Sequence, residues 1–189
     1  YEITTRLVGS EMCIRDSRVY AYLIKQRFIA PEVITHFAKQ HTLYEDKEHH
    51  NAVFVGVDEN GVPRQASKRS TSTFGNAFRI TCEGSDTKYS FSHFGKSSRL
   101  YVFEAPIDML SYISMRKENW KSHSYAASCS VSDRVLFQCL KDNPNIKNVC
   151  LCFDNDEVGQ KANKRIAEKL NSMNIEKMPI CICLLYTSP

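Results

Sequence analysis

The second half of the chain alternates short apolar runs with longer stretches of helical periodicity, and few folds accommodate that alternation. The runs at residues 100–103 and 149–153 contain no charged side chain, so each is apolar on both faces. Strands of this kind lie between two layers of helices, whereas strands with one solvated face alternate apolar and polar residues. The pattern therefore predicts an α/β domain, with a parallel sheet of about four strands and flanking helices.

Each element of that sheet can be placed from its apolar positions. Strands are predicted at Leu100 to Phe103, His123 to Ala127 and Asn148 to Phe153, and the segment MPICIC begins a fourth. A helix is predicted to open at Pro106, a second near Ser132, and a third after the last apolar run. Their inward positions are Ile107, Leu110 and Ile113 in the first, Val135, Leu136, Cys139 and Leu140 in the second, and Val158, Ala162, Ile166 and Leu170 in the third.

The first half has a different pattern, which predicts a small α+β domain. Residues 18–30 favour a short amphipathic helix, and Pro31 suits the first turn of a second helix. Alternating valines at 53–57 and an Asn60-Gly61 turn predict a β-hairpin. The helical pair is interpreted as packing on this sheet, with a DNA-reading helix-turn-helix as the alternative. The predicted domains are 18–98 and 99–182.

The two ends of the chain do not continue the pattern of their neighbours. LVGSEMCIRDS (Leu7 to Ser17) and CLLYTSP (Cys183 to Pro189) resemble peptides produced when sequencing-adapter DNA is translated within metagenomic reads. Residues 1–17 and 183–189 are therefore set aside as non-native ends. We expect the natural protein to extend beyond the chain on both sides.

Composition narrows the class of protein. The chain has neither the ~20-residue apolar run of a membrane-spanning helix nor the opening pattern of a signal peptide. Its eight cysteines include no CxxC pair, since Cys150 and Cys152 are one residue apart, as are Cys181 and Cys183. This spacing disfavours both zinc and a disulfide framework. Reduced thiols and a cytoplasmic location are predicted.

Positive charge is concentrated in one window. From Arg64 to Arg99 there are seven basic residues and two acidic ones, a local charge of +5, against +4 for the whole chain. A basic surface of this kind suits a nucleic-acid backbone, although a solvated face without a partner has the same composition. Four residues of the window are predicted to bind nucleic acid: Lys68, Arg69, Arg79 and Lys88. Aromatic residues at 89–94 accompany them and suit single strands, or belong to the core.

Acidic residues follow two of the predicted strands. Glu104 comes directly after the first, with Asp108 four residues on, and Asp154 and Asp156 follow the third. If these strands are neighbours, their carboxyl ends open on one crevice, where ligands of such sheets bind. Carboxylates converging there repel one another unless a hard cation such as Mg²⁺, or Mn²⁺, lies among them. Taken singly, each acid is also explained as a helix cap or a first-turn acid.

The segments VFEAPIDML and CFDNDEVGQKAN, which carry these acids, resemble the two signature motifs of the Toprim domain, shared by bacterial primases, topoisomerases and certain nucleases. The resemblance covers about Arg99 to Pro179. It implies that Glu104 is a general acid/base or metal ligand, that Asp154 and Asp156 bind the metal, and that Asp108 is a secondary acid. Gly159 matches the glycine after the pair, whereas Ala105 stands where the family commonly has glycine. The preceding block resembles a domain of unknown function found before Toprim in proteins of mobile and conjugative elements, and the basic subdomain of bacterial primases.

The resemblance implies phosphoryl-transfer chemistry on nucleic acid, and three functions remain open. A primase-like nucleotidyl transferase, acting with nucleotides on single-stranded DNA in mobile-element replication or transfer, is the main prediction. A Toprim nuclease is the first alternative, and a non-catalytic module that binds single-stranded DNA is the second. A topoisomerase is disfavoured, because strand cleavage by these enzymes needs a tyrosine from another domain, and such a domain is not evident in this sequence. Helicase or relaxase partners are expected to act through regions outside this chain.

Overall fold

The computed structural model describes residues 17–72, 78–129 and 132–172, together with the backbone of 180–182. The ends that were set aside as non-native lie outside these ranges, except Ser17. The chain divides into two compact units. The first comprises residues 1–91 with 110–117, and the second comprises 92–109 with 118–189.

The first unit begins with two helices, α1 (Arg18–Lys25) and α2 (Pro31–Lys39). Ser17 caps α1, because its hydroxyl accepts a hydrogen bond from the Tyr20 N–H at 3.1 Å. The predicted helix at 18–30 is shorter than expected, since Phe28 adopts φ +54°, a left-handed conformation that ends a helix. The second helix begins at Pro31 as predicted.

A four-stranded antiparallel sheet completes the first unit. Its strands are β1 (Leu43–Glu45), β2 (Ala52–Val57), β3 (Pro63–Arg69) and β4 (Arg79–Thr81), in spatial order β1-β2-β3-β4. The predicted hairpin is confirmed as β2 and β3. Its turn is fixed by Asp58, whose Oδ1 accepts hydrogen bonds from the backbone N–H groups of Asn60 and Val62 at 2.9 and 3.0 Å. Gly61, at φ +76°, supplies the left-handed residue of the turn.

Aromatic packing forms the core between α2 and the antiparallel sheet. The Phe91 ring lies 4.6 Å from that of Phe37 and 5.2 Å from that of Phe54, and all three side chains are buried. Gly56 lets the Ser90 backbone approach β2, since a Cβ at position 56 would lie 2.5 Å from the Ser90 Cα. The helical pair therefore packs on the sheet, which is the preferred of its two interpretations.

The second unit contains a five-stranded sheet in the order β5-β7-β6-β8-β9. Its strands are β5 (Ser92–His93), β6 (Arg99–Phe103), β7 (Ser124–Ala127), β8 (Asn148–Cys152) and β9 (Ile180–Ile182). Strands β6 to β9 are mutually parallel and confirm the predicted four-stranded sheet. The structure adds β5 as an antiparallel edge strand, formed by residues that were assigned to the first predicted domain, 18–98.

Helices α3 (Pro106–Met115), α4 (Arg134–Asp142) and α5 (Glu157–Ser172) follow β6, β7 and β8, and a 3₁₀ turn covers Trp120–Ser122. Residues of α4 and α5 pack with β6, β7 and β8 in one cluster, which includes Leu136, Ile166, Leu100 and Leu151. The predicted inward position Val158 is wrong, because its side chain is 58% exposed in the first turn of α5. Within the described residues, no helix is long and apolar enough to cross a membrane.

Candidate active site

The order of the strands brings two acid-bearing strand ends together. The chain passes from β6 outward to β7, then returns across β6 to β8, so the winding direction reverses between β6 and β8. These two strands are parallel neighbours in a register that pairs Phe103 with Cys152. Glu104 and Asp154 therefore leave the sheet at the same edge, one and two residues beyond that pair. The condition on which the sequence argument depended, adjacency of the two strands, is confirmed.

The backbone on both sides of Glu104 is fixed by hydrogen bonds. Before it, the Phe103 carbonyl accepts bonds from the Ser128 N–H at 2.8 Å and from the Ser128 hydroxyl at 3.0 Å. After it, the Ala105 carbonyl accepts bonds from the Asp108 and Met109 N–H groups, which starts α3. Glu104 and Asp108 are both half-buried. Ala105 is buried and is not one of the described residues with positive φ, so this turn does not require glycine.

Asp154 and Asp156 have different environments. Asp154 is half-buried and follows the fully buried Phe153, whereas Asp156 is exposed. Asp156 Oδ1 accepts a hydrogen bond from the Gly159 N–H at 2.7 Å, so this carboxylate caps α5. Gly159 in turn lies against Asp154, because a Cβ at position 159 would be 2.1 Å from the Asp154 carbonyl oxygen. The helix and the acid pair are thus built as one local structure.

The carboxylates that follow β6 and β8 suit an ion such as Mg²⁺, both in their chemistry and in their positions at the ends of the strands. Their oxygens are the ligands that such ions prefer, and two of the acids follow neighbouring strands. Within the described ranges, however, no three His, Cys, Asp or Glu side chains are grouped closely enough to hold a metal. The cap explains part of this, because it turns the Asp156 carboxylate towards the first turn of its own helix. The metal role of the acids stays a prediction.

The four basic residues selected from the sequence lie in the first unit and differ in their contacts. The Lys68 ammonium lies 3.3 Å from an Asp46 oxygen, and that of Lys88 lies 3.2 Å from Asp86. Arg69 donates from Nε to the Tyr22 hydroxyl at 3.0 Å, and Arg79 is its cross-strand neighbour on β4. Arg69 and Arg79 are therefore neighbours across β3 and β4, and each of the two lysines lies beside a carboxylate.

Sequence reasoning missed three residues that shape these sites. Ser128 follows β7 at the same edge as Glu104, and a hydroxyl directly after a strand was a usable signal. Tyr22 lies in α1 and Arg27 just after it, and neither showed a signal in the sequence, because the Tyr22 hydroxyl that Arg27 contacts also accepts a bond from Arg69, which is distant along the chain. Conversely, Phe91 is a core residue and not a strand-binding aromatic, since it is fully buried.

Two family models match the chain. Residues 21–97 match the family described as "Protein of unknown function (DUF3991)", and residues 101–182 match the family described as "Toprim-like". An uncharacterized protein of Bacillus anthracis, pXO2-78, is 27% identical over 174 residues, which cover 86% of this chain and 49% of the relative. The chain therefore spans about half the length of this plasmid-encoded relative.

Solved structures of primases have the same fold. The primase fragment of the bacteriophage T7 primase-helicase protein superposes with a TM-score of 0.61 at 17% identity, covering 85% of this chain and 64% of that one. The E. coli primase catalytic core gives 0.63 at 13% identity, covering 96% and 69%. A DnaG primase catalytic domain bound to single-stranded DNA gives 0.65 at 14% identity, covering 98% and 69%. At these identities the likeness establishes the fold.

Proposed function

Since a Toprim-like domain follows a DUF3991 domain in this chain, we propose that the protein performs Mg²⁺-dependent, primase-like nucleotidyl transfer on single-stranded DNA. The observation that carries the proposal is the parallel pairing of β6 with β8 at the point where the winding of the sheet reverses. Ligands of open α/β sheets bind in the crevice outside the carboxyl ends of the strands at such a point. The acids Glu104 and Asp154 follow the two strands that form it.

In this proposal the residues have separate roles. Asp154 and Asp156 would hold the ion with Glu104, and Asp108 would support them from the first turn of α3. Bound there, Mg²⁺ supplies positive charge for phosphate oxygens. Glu104 would accept the proton of the attacking 3′-hydroxyl group. The hydroxyl oxygen would form a bond to the α-phosphorus of the nucleotide, and the bond from that phosphorus to pyrophosphate would break. Ser128 would position Glu104 through its two hydrogen bonds to the Phe103 carbonyl.

The proposed substrates are a single-stranded DNA template and nucleoside triphosphates. Lys68, Arg69, Arg79 and Lys88 would contact phosphates from the first unit, as cationic side chains do on nucleic-acid backbones. One structural neighbour, a DnaG primase catalytic domain, has been solved bound to single-stranded DNA, which supports this choice. The plasmid-encoded relative supports a place in the replication or transfer of a mobile element. A helicase partner is supported by the structural neighbour that is a fragment of a primase-helicase protein, and a relaxase partner and a cytoplasmic location belong to the same proposal.

One experiment tests the proposal against its nearest alternative. The purified chain is incubated with Mg²⁺ and a single-stranded template, and incorporation of labelled nucleotides is measured beside cleavage of an end-labelled strand. We expect incorporation without cleavage in the wild type and loss of incorporation in Asp154→Asn. Glu168→Gln is the matched control, since it removes an exposed carboxylate from the same unit on α5.

Each outcome is informative. Cleavage without incorporation would replace the proposal with a Toprim-type nuclease that uses the same acids. Full incorporation by Asp154→Asn would remove the metal role of the acid pair. Binding of single-stranded DNA with neither activity would identify a non-catalytic module. Equal losses in Asp154→Asn and Glu168→Gln would indicate a general effect of charge.

A further inference from the structure

The first unit contains a cluster of arginines organised around one phenol. The Tyr22 hydroxyl oxygen accepts a hydrogen bond from Arg27 Nε at 2.9 Å and another from Arg69 Nε at 3.0 Å. Tyr22 itself is only 6% exposed, so α1 holds the oxygen in place. The Arg27 guanidinium carbon also lies 5.5 Å from the centre of the Tyr22 ring. One buried residue thereby fixes two cationic side chains that are 42 residues apart in the chain.

The cluster concentrates positive charge at an electrostatic cost. Both guanidinium groups lie within hydrogen-bond distance of the same oxygen, so two positive charges are held close together. Like charges at such a short separation repel each other. Within the described part of the chain, neither Arg27 nor Arg69 forms a salt bridge with a carboxylate. An anion bound at the cluster would offset this repulsion.

The geometry of the bonds leaves the binding side of each guanidinium available. The recorded bonds to Tyr22 use Nε of Arg27 and Nε of Arg69. The terminal Nη groups are the ones that complete a fork around two oxygens of a phosphate. Arg27 is exposed and Arg69 half-buried, so an anion can reach the pair from solvent.

Exposed aromatic side chains adjoin the cluster along the chain. Phe28 directly follows Arg27, is 83% exposed, and sits at φ +54°, which a bulky residue adopts at a cost. Phe78 directly precedes Arg79 and is 42% exposed. Cationic side chains interleaved with exposed aromatic rings are typical of surfaces that hold the phosphates of a single strand and stack its bases.

We propose that Arg27, Arg69 and Tyr22 form a phosphate clamp for single-stranded nucleic acid, with Arg79 beside it and Phe28 as a base-stacking platform. This site rests on the proposed function and deepens it, because it identifies the surface that holds the strand. Tyr22 lies in α1, and Arg27 and Phe28 lie between α1 and α2, so all three are outside the basic window of the sequence. Free nucleotides carry the same phosphate groups, so the test distinguishes binding of a nucleic-acid strand from binding of a free nucleotide.

The test is fluorescence anisotropy of a labelled oligothymidylate with the whole chain in EDTA, where metal-dependent chemistry is silent. Arg27→Gln and Arg69→Gln should each lower affinity about tenfold, as expected when a charged hydrogen bond is lost. Each should also lower the slope of log affinity against log salt by about 0.7. Phe28→Ala should lower affinity about tenfold with the slope unchanged, because stacking carries no charge. Lys39→Gln, an exposed charge on α2 outside the cluster, is the control and should have little effect.

Two further variants keep the result interpretable. Tyr22→Phe retains the buried ring and removes the shared acceptor, so it should weaken binding even if an arginine variant unfolds. Asp154→Asn should bind as the wild type does, although it loses synthesis, which separates the clamp from the metal centre. Three results would each overturn the clamp. The first is a wild-type protein that does not bind the strand, and the second is a loss of affinity in Lys39→Gln equal to that in the arginine variants. The third is displacement of the strand by pyrophosphate at a concentration equal to that of the strand phosphates.

Discussion

Asp156 combines a structural bond with a proposed chemical role, and the two can be separated by substitution. Its Oδ1 caps α5 through the Gly159 N–H at 2.7 Å. Asp156→Asn keeps an acceptor oxygen at the cap and removes the negative charge. Asp156→Ala removes both. We therefore expect the asparagine variant to lose nucleotide incorporation while remaining nearly as stable as the wild type, and the alanine variant to lose both activity and stability.

The size of the stability change follows from the cap. Replacing a capping Asp by Ala costs about 1 kcal/mol, whereas Asn caps about as well as Asp. For a chain of 189 residues, 1 kcal/mol corresponds to a Tm change of about 2–4 °C.

The assay is thermal unfolding followed by circular dichroism in EDTA, with incorporation measured in Mg²⁺ on the same preparations. If Asp156→Asn unfolds as early as Asp156→Ala, the carboxylate stabilises the fold through charge and not through the cap. If Asp156→Asn retains full incorporation, Asp156 is a cap alone, and the metal role of the pair is refuted for this residue.

Two further predictions concern the second unit. Gly159→Ala should destabilise the protein by about 1–3 kcal/mol and reduce incorporation, because the alanine Cβ would lie 2.1 Å from the Asp154 carbonyl oxygen. Urea unfolding measures the loss of stability, and an unchanged unfolding midpoint would contradict the prediction. Burial lowers the pKa of His93 below its usual value, with the Lys121 carbonyl as hydrogen-bond partner at 3.1 Å. The unfolded chain therefore binds the proton more readily, so stability should fall as pH drops below about 6.5. In His93→Phe, denaturant unfolding at several pH values should show less of this fall, and identical pH profiles would contradict the assignment.

The parallel sheet was predictable because its signals are local and repeated. Four strands were placed from their apolar residues, whereas the adjacency of β6 and β8 was only a condition of the sequence argument and is supplied by the structure. The hairpin was predictable for a similar reason, since Asn60-Gly61 supplies the turn. The edge strand β5 escaped prediction because two residues cannot show a periodicity. Val158 was misplaced because its spacing from Ala162 suits the stripe, although the first turn of α5 leaves it exposed.

Interactions between distant residues could not be predicted in the same way. The sequence identifies Glu104, Asp154 and Asp156 as acids that follow strands, but the direction of each side chain depends on hydrogen bonds formed after folding. The bond from the Gly159 N–H to Asp156 is local, and a capping interpretation was available from the start. The bonds from Ser128 to the Phe103 carbonyl join two strands and depend on their register, which the sequence does not state.

The basic window illustrates why a charge count along the sequence is a weak guide to a binding surface. Lys68 and Lys88 contribute to its +5, yet Asp46 and Asp86 lie within 3.3 Å of their ammonium groups, and Asp46 is outside the window. Arg27 is also outside, yet it shares an acceptor with Arg69. Salt bridges at the surface are weak, but they reduce the net field that a phosphate meets. The electrostatic field that a nucleic-acid strand meets thus depends on which cationic side chains share a neutral acceptor and which lie beside a carboxylate. By that criterion, Arg27 and Arg69 contribute more to the field than Lys68 and Lys88 do.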